Sequence, residues 1–102
     1  MRMMLKVALP VEKSNQALKS GQLPKILMGA MQDLKPEAAY FFPENGKRAS
    51  IMVFDMKDTS QIPVIAERFF VELDAEVSFI PVMNADDLMK GLEAQMAVKA
   101  TA

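Results

Sequence analysis

The chain has 102 residues, apolar side chains at 51% of its positions, and a formal net charge of −1 from 12 basic and 13 acidic residues. This length predicts one domain, residues 1–102, and the absence of a basic run argues against nucleic acid as a partner. Because the chain contains no cysteine and no histidine, disulfides, Ser-His-Asp triads, histidine-ligated haem and cysteine- or histidine-based zinc sites are excluded. We therefore expect no cofactor and no metal site.

The first third of the chain predicts a strand and a bent helical segment. Residues 2–9 alternate, with Met3, Leu5, Val7 and Leu9 on one face, which is typical of a strand. Residues 11–34 have helical spacing, with Ser14 or Asn15 as possible caps, and the segment breaks or bends at Ser20-Gly21. The N-terminal apolar run is too short for a signal peptide or a membrane span, so we expect a cytoplasmic protein without a membrane partner.

The middle of the chain predicts a β-hairpin. Residues 38–42 and 49–56 have strand character, and Asn45-Gly46 between them is typical of a two-residue type I′ turn. This turn pairs Glu44 with Lys47 and Phe42 with Ala49. A three-residue loop with a bulge at Gly46 is the alternative, and it would shift the pairing by one residue.

The last part of the chain predicts a helix, a strand and a final helix. Asp58-Thr59-Ser60 offers capping groups for a helix with an apolar stripe over residues 62–73, and residues 76–83 form a fourth strand. Asn84 and Asp87 have the spacing of a helix cap. We interpret Asp55 and Asp58 as a strand end followed by a helix cap rather than as metal ligands. We interpret Asp86 and Asp87 as acidic residues that the helix dipole favours in a first turn. Residues 97–102 are expected to be a frayed tail.

This order of elements predicts an α+β fold, a ferredoxin-like βαββαβ sandwich with an extra C-terminal helix. The sheet face away from the helices should be polar, but every strand carries apolar residues on both faces. The residues expected on the uncovered face are Met52, Phe54, Ile80 and Val82. Because such a patch would be large, we expect a homodimer in which a second sheet covers it.

Three segments carry a resemblance to a known superfamily: PEAAYFFPENGKR (36–48), VFDMKDTSQIPVIAERFF (53–70) and AEVSFIPVM (75–83). They resemble the dimeric α+β barrel superfamily, in which two ferredoxin-like subunits pack sheet to sheet, and more narrowly a small bacterial family labelled a domain of unknown function. Better-known members include antibiotic-biosynthesis monooxygenases, haem-degrading enzymes and muconolactone isomerases. Several of them use histidine or tryptophan in the site, and this chain has neither, so no catalytic residue is carried over.

The candidate ligand-binding residues are polar or aromatic side chains on the strands: Lys6, Tyr40, Arg48, Ser50, Met52, Phe54 and Ser78. Arg48, Ser50, Met52 and Phe54 share a face in either hairpin register, and we expect that face to line the space between two sheets. The surplus of hydrogen-bond donors there favours a small apolar acid or carbonyl compound as ligand. The alternative is that Lys6, Arg48 and Ser78 lie near strand ends and reach solvent.

Three functions remain open from the sequence. The first is a small-molecule-binding or sensing protein. The second is a cofactor-independent enzyme of the monooxygenase or isomerase kind, and the third is a structural interaction module. Buried polar groups converging on a cavity would favour the first two, and a filled interior would favour the third.

Overall fold

The structure is a computed structural model that describes residues 1–101, with side chains over residues 1–98. The elements are β1 (Arg2–Leu9), α1 (Val11–Ser20), α2 (Gln22–Leu34), β2 (Ala38–Glu44), β3 (Lys47–Asp55), α3 (Gln61–Leu73), β4 (Glu76–Pro81) and α4 (Ala85–Thr101). This order confirms the predicted succession of elements, including the break between α1 and α2. The tail predicted for residues 97–102 lies partly outside the described residues and stays a prediction.

The four strands form one antiparallel sheet in the order β2-β3-β1-β4. The connection from β1 through α1 and α2 to β2 leaves a gap that β3 fills. The connection from β3 through α3 to β4 leaves a gap that β1 fills. The fold is therefore α+β with two interlocked split β-α-β units, and α1, α2 and α3 cover one face of the sheet.

The hydrophobic core lies between the sheet and these three helices. The alternating apolar side chains of β1 pack there against Phe69 and Leu73 of α3, which are fully buried. Leu23 and Ala30 of α2 and Ala17 of α1 complete the layer. Each large side chain buried in this way contributes about 1.5–3 kcal/mol of transfer free energy.

The hairpin between β2 and β3 has the two-residue turn. Asn45 and Gly46 have positive φ angles of 53° and 76°, as a type I′ turn requires. Phe42 lies opposite Ala49, and Glu44 lies opposite Lys47. The predicted pairing is confirmed, and the bulged alternative is wrong.

The pairing of β1 with β3 shows which face of β3 meets the helices. Leu5 lies opposite Met52 and Met3 opposite Phe54, so these side chains share the core face of the sheet. Met52 and Phe54 are accordingly buried, at 1% and 2% exposure. The prediction that they lie on the uncovered face is wrong, and Val82 lies beyond the end of β4.

The side of the sheet away from α1, α2 and α3, called the open face below, carries apolar side chains along its middle and charged side chains at its ends. Its side chains include Met4, Lys6, Tyr40, Phe42, Ile51, Val53, Ser78 and Ile80. The ammonium of Lys6 pairs with a Glu44 carboxylate oxygen at 2.8 Å across this face. The prediction of apolar side chains on both faces of the sheet is confirmed, although with different residues from those expected in β3.

The outer strands and the last helix complete the fold. The outer strands β2 and β4 contain Pro43 and Pro81, respectively. Asn84 Oδ1 accepts the backbone N–H of Asp87 at 2.8 Å, and Asp87 Oδ2 accepts that of Asn84 at 3.2 Å, which confirms the predicted cap of α4. Every described side chain of α4 is exposed. No helix in the described part of the chain is long and apolar enough to cross a membrane.

Candidate functional site

A cavity of about 370 Å³ lies on the helix side of the sheet, beside the β2–β3 hairpin. Its apolar wall includes Val7 and Leu9 of β1, Leu23 and Leu27 of α2, and Phe41 of β2. The cavity exists because the helices cover the outer strand β2 less completely than β1 and β3. Phe41 accordingly remains 51% exposed, although it lies on the same face as the buried core.

Arg48 is the charged group of this cavity. Its Nη1 donates to Ser14 Oγ at 2.7 Å and to Asn15 Oδ1 at 2.9 Å. Both acceptors are neutral, and none of the ion pairs formed within the described residues includes Arg48. A guanidinium has five N–H donors, so this half-buried cation retains donors for an anionic ligand.

Ser14 holds the guanidinium in place from within the first turn of α1. The sequence suggested Ser14 or Asn15 as a helix cap, but α1 begins at Val11 after Pro10. Ser14 is therefore inside the helix and fully buried, and its hydroxyl donates to the Val11 carbonyl at 3.2 Å. Such local hydrogen bonds to the preceding turn are common for serine in helices, and they leave the Ser14 oxygen able to accept from Arg48.

Ser50 adds a hydroxyl to the wall of the cavity. It lies two residues after Arg48 on β3, so both side chains point to the same face at a separation of about 7 Å along the strand. Ser50 is 5% exposed and lies opposite Val7 of β1. One small ligand can therefore touch both polar groups while its body rests on the apolar wall.

The seven predicted site residues divide between the two faces of the sheet. Arg48, Ser50, Met52 and Phe54 lie on the helix face, whereas Lys6, Tyr40 and Ser78 lie on the open face. Of the seven, Arg48 and Ser50 line the cavity, and Met52 and Phe54 are buried further along β3. The structure thus brings two candidates together and separates the rest.

Several residues of the cavity were not predicted from the sequence. The apolar walls at Leu23, Leu27 and Phe41 were not proposed as binding residues, and Ser14 was proposed only as a cap. Leu23 and Leu27 have the i, i+4 spacing of a helix face, but this spacing does not distinguish a cavity wall from ordinary core. No pattern in the sequence places α2 opposite β2.

Three of the four residues in the acidic pairs, Asp55, Asp58 and Asp87, are engaged in local contacts. Asp55 forms an ion pair with Lys57, whose hydrogen bond and charge, together with those of the Met1 ammonium, lower its pKa to about 2. Asp58 Oδ1 accepts the backbone N–H of Ser60 at 3.0 Å, and this hydrogen bond lowers the pKa of Asp58. Within the described residues, no group of three acidic side chains is placed to hold a metal ion.

No protein-family model, curated protein or solved structure matches the chain. The similarity to the dimeric α+β barrel superfamily therefore stays a prediction from the sequence. No activity or ligand can therefore be assigned to this chain from a related protein. Its function has to be inferred from its cavity and its surfaces.

Proposed function

We propose that the chain is a homodimeric small-molecule-binding or sensing protein whose binding site is the cavity beside Arg48 and Ser50. The observation that carries this proposal is a half-buried guanidinium at an apolar cavity, with neutral acceptors and no carboxylate among its partners in the described residues. A cation held in an apolar surrounding is costly unless an anion compensates it. A bound ligand with a negative group would supply that compensation.

The chemistry of the wall favours a small acid with an apolar body. A carboxylate accepts two parallel hydrogen bonds from a guanidinium, which fixes its orientation, and the Ser50 hydroxyl can donate a further one. Leu23, Leu27 and Phe41 would contact the apolar body. A volume of about 370 Å³ is near the lower limit of the usual range of about 300–1,000 Å³. This size suits short-chain or single-ring acids, and a carbonyl compound is the weaker alternative because it lacks the charge.

A thermal-shift screen of aliphatic and aromatic monocarboxylates tests this proposal, with the corresponding primary amides as uncharged comparisons. A ligand at about 100 times its dissociation constant stabilises the folded state by about 2.7 kcal/mol, which raises Tm by about 10–20 °C in a domain of this size. We expect acids to shift Tm and amides to shift it much less. If no acid in the screen shifts Tm, the proposal is wrong.

Two variants then locate the site. We expect the Arg48→Ala, Ser50→Ala double variant to lose the acid-induced shift. Lys47→Ala is the matched control, because Lys47 is the adjacent exposed cation and lies on the other face of β3. An acid that stabilises the double variant as much as wild type would mean that Arg48 only ties β3 to α1 and that the ligand binds elsewhere.

The dimer part of the proposal rests on the open face. Met4, Ile51, Val53 and Ile80 form an apolar surface there that α1, α2 and α3 leave uncovered. Sheet-to-sheet pairing, as in the dimeric α+β barrel superfamily that the sequence resembles, would bury it. In such a dimer the Arg48 cavity lies outside the space between the sheets. A sedimentation experiment that finds a stable monomer at micromolar concentration would contradict the dimer without affecting the ligand site.

A further inference from the structure

The last helix carries an apolar stripe that nothing in the described chain covers. Leu88, Met89, Leu92 and Met96 follow the spacing i, i+1, i+4 and i+8, which places them on one side of α4 within an arc of about 100°. Their exposures are 45%, 55%, 48% and 70%. We call this set the α4 stripe. Asp86, Lys90 and Glu93 lie outside this arc, so no charged side chain interrupts the α4 stripe.

A helix of this kind needs a partner. The helical propensity of a single segment is marginal in water without tertiary packing, and α4 shares no buried residue with the core. Four large apolar side chains on one side of a surface helix indicate a face that packs against another surface.

Helix α4 is attached to its own domain through its first turn and extends away from it. Asp87 Oδ2 pairs with Arg2 Nη1 at 3.0 Å, and Arg2 is on the open-face side of β1, so the start of α4 is fastened at one end of the open face. The radius of gyration is 17.1 Å and the longest extent is 61 Å. A compact domain of this length has a radius of gyration of about 13 Å. Because every described side chain of α4 is exposed as well, the helix projects from the domain as an arm that begins at one end of the open face.

The area of the open face, compared with the area that a stable interface buries, favours a contribution of α4 to the dimer. Four strands at about 4.8 Å spacing and about seven residues of shared length give the open face a flat area of roughly 450 Å². A stable interface buries about 800 Å² on each partner, so the open face alone is small. One side of α4, about 25 Å long and 10 Å wide, adds roughly 250 Å² and brings each copy close to that size.

We propose that α4 is an exchange arm whose stripe packs against a second copy of this chain, at the margin of the open-face interface. This inference rests on the proposed homodimer. Two-fold symmetry makes the contact reciprocal, so each dimer contains two such arms. The fixed cap at Asn84 and the Arg2–Asp87 ion pair set the direction in which each arm leaves its own domain.

Sedimentation of the full-length protein tests the contact with two matched variants. Leu92→Glu places a charge within the stripe, and Ala94→Glu places the same charge on the opposite side of α4. We expect Leu92→Glu to raise the dissociation constant of the dimer at least tenfold and Ala94→Glu to change it less than threefold. Circular dichroism of both variants verifies that the domain remains folded.

Hydrogen exchange of α4 separates the possible outcomes. We expect its amides to be protected at concentrations where the dimer forms and to lose that protection on dilution. A wild-type chain that stays monomeric refutes the proposed dimer and the arm with it. A dimer in which α4 is unprotected and Leu92→Glu associates like wild type refutes the arm alone. Protection that does not change with concentration means that α4 folds onto its own domain, which also overturns the proposal.

Discussion

Neighbouring residues of β3 provide a direct test of the two faces of the sheet. Met52 is 1% exposed and lies on the core face opposite Leu5, whereas Ile51 lies on the open face and is half-buried. Replacing a buried methionine by alanine costs about 2–5 kcal/mol. A domain of this length has a total stability of about 5–15 kcal/mol, so Met52→Ala should remove a large part of it and lower Tm by about 10 °C or more.

Ile51→Ala should destabilise the fold less, because the side-chain carbons that it removes are already partly exposed to water in the monomer. We expect a cost of about 1 kcal/mol or less for folding at low protein concentration. At high concentration we expect a larger effect, because the proposed dimer would then add to the stability of the folded state. Urea unfolding of both variants at low and high protein concentration measures these effects. The face assignment would be refuted if Ile51→Ala cost as much as Met52→Ala at both concentrations.

Three further predictions concern the turn, one carboxylate and the cavity wall. Gly46→Ala should lower the free energy of unfolding in urea by about 1–2 kcal/mol, because alanine disfavours the positive φ at this position. No atom lies within 4 Å of the added Cβ, so the cost comes from the backbone alone, and a cost near zero would contradict the turn. The pKa of Asp55 is lowered from 3.8 to about 2, so its ion pairs stabilise the fold above pH 4, and that contribution disappears as the pH falls toward 2. The Asp55→Asn variant should lack this part of the acid unfolding transition. A transition identical to that of wild type would contradict the lowered pKa of Asp55. Phe41→Ala should weaken acid binding in calorimetry, whereas Tyr40→Ala, on the opposite face of β2, should leave it unchanged; equal losses would move the site.

Features that depend on local sequence were predictable. Asn45-Gly46 determines the hairpin turn because both residues tolerate positive φ angles. The cap of α4 follows from the spacing of Asn84 and Asp87. Pro10, Gly21 and Pro36 delimit α1 and α2. None of these features depends on a distant part of the chain, and the hairpin register is fixed by the turn alone.

The orientation of β3 was not predictable because it depends on a distant pairing. Each face of β3 is apolar enough to be buried, and the pairing of Leu5 with Met52 decides between them. Between residues 48 and 54 local polarity favoured the wrong face, since the polar Arg48 and Ser50 lie on the core face. They occur there because that end of the face opens into the cavity, whose far wall is formed by Leu23 and Leu27 of a helix placed by tertiary packing.

The proline in each outer strand has a consequence for how copies of this chain can meet. The free edge of a strand normally offers a row of N–H and C=O groups to which another strand can add, and this is how sheets extend into fibrils. Pro43 in β2 and Pro81 in β4 each remove one donor from an edge, and proline is tolerated there because the missing N–H faces outward. Lateral extension of the sheet is thus interrupted on both sides, which disfavours an open-ended polymer built through the edges of the sheet.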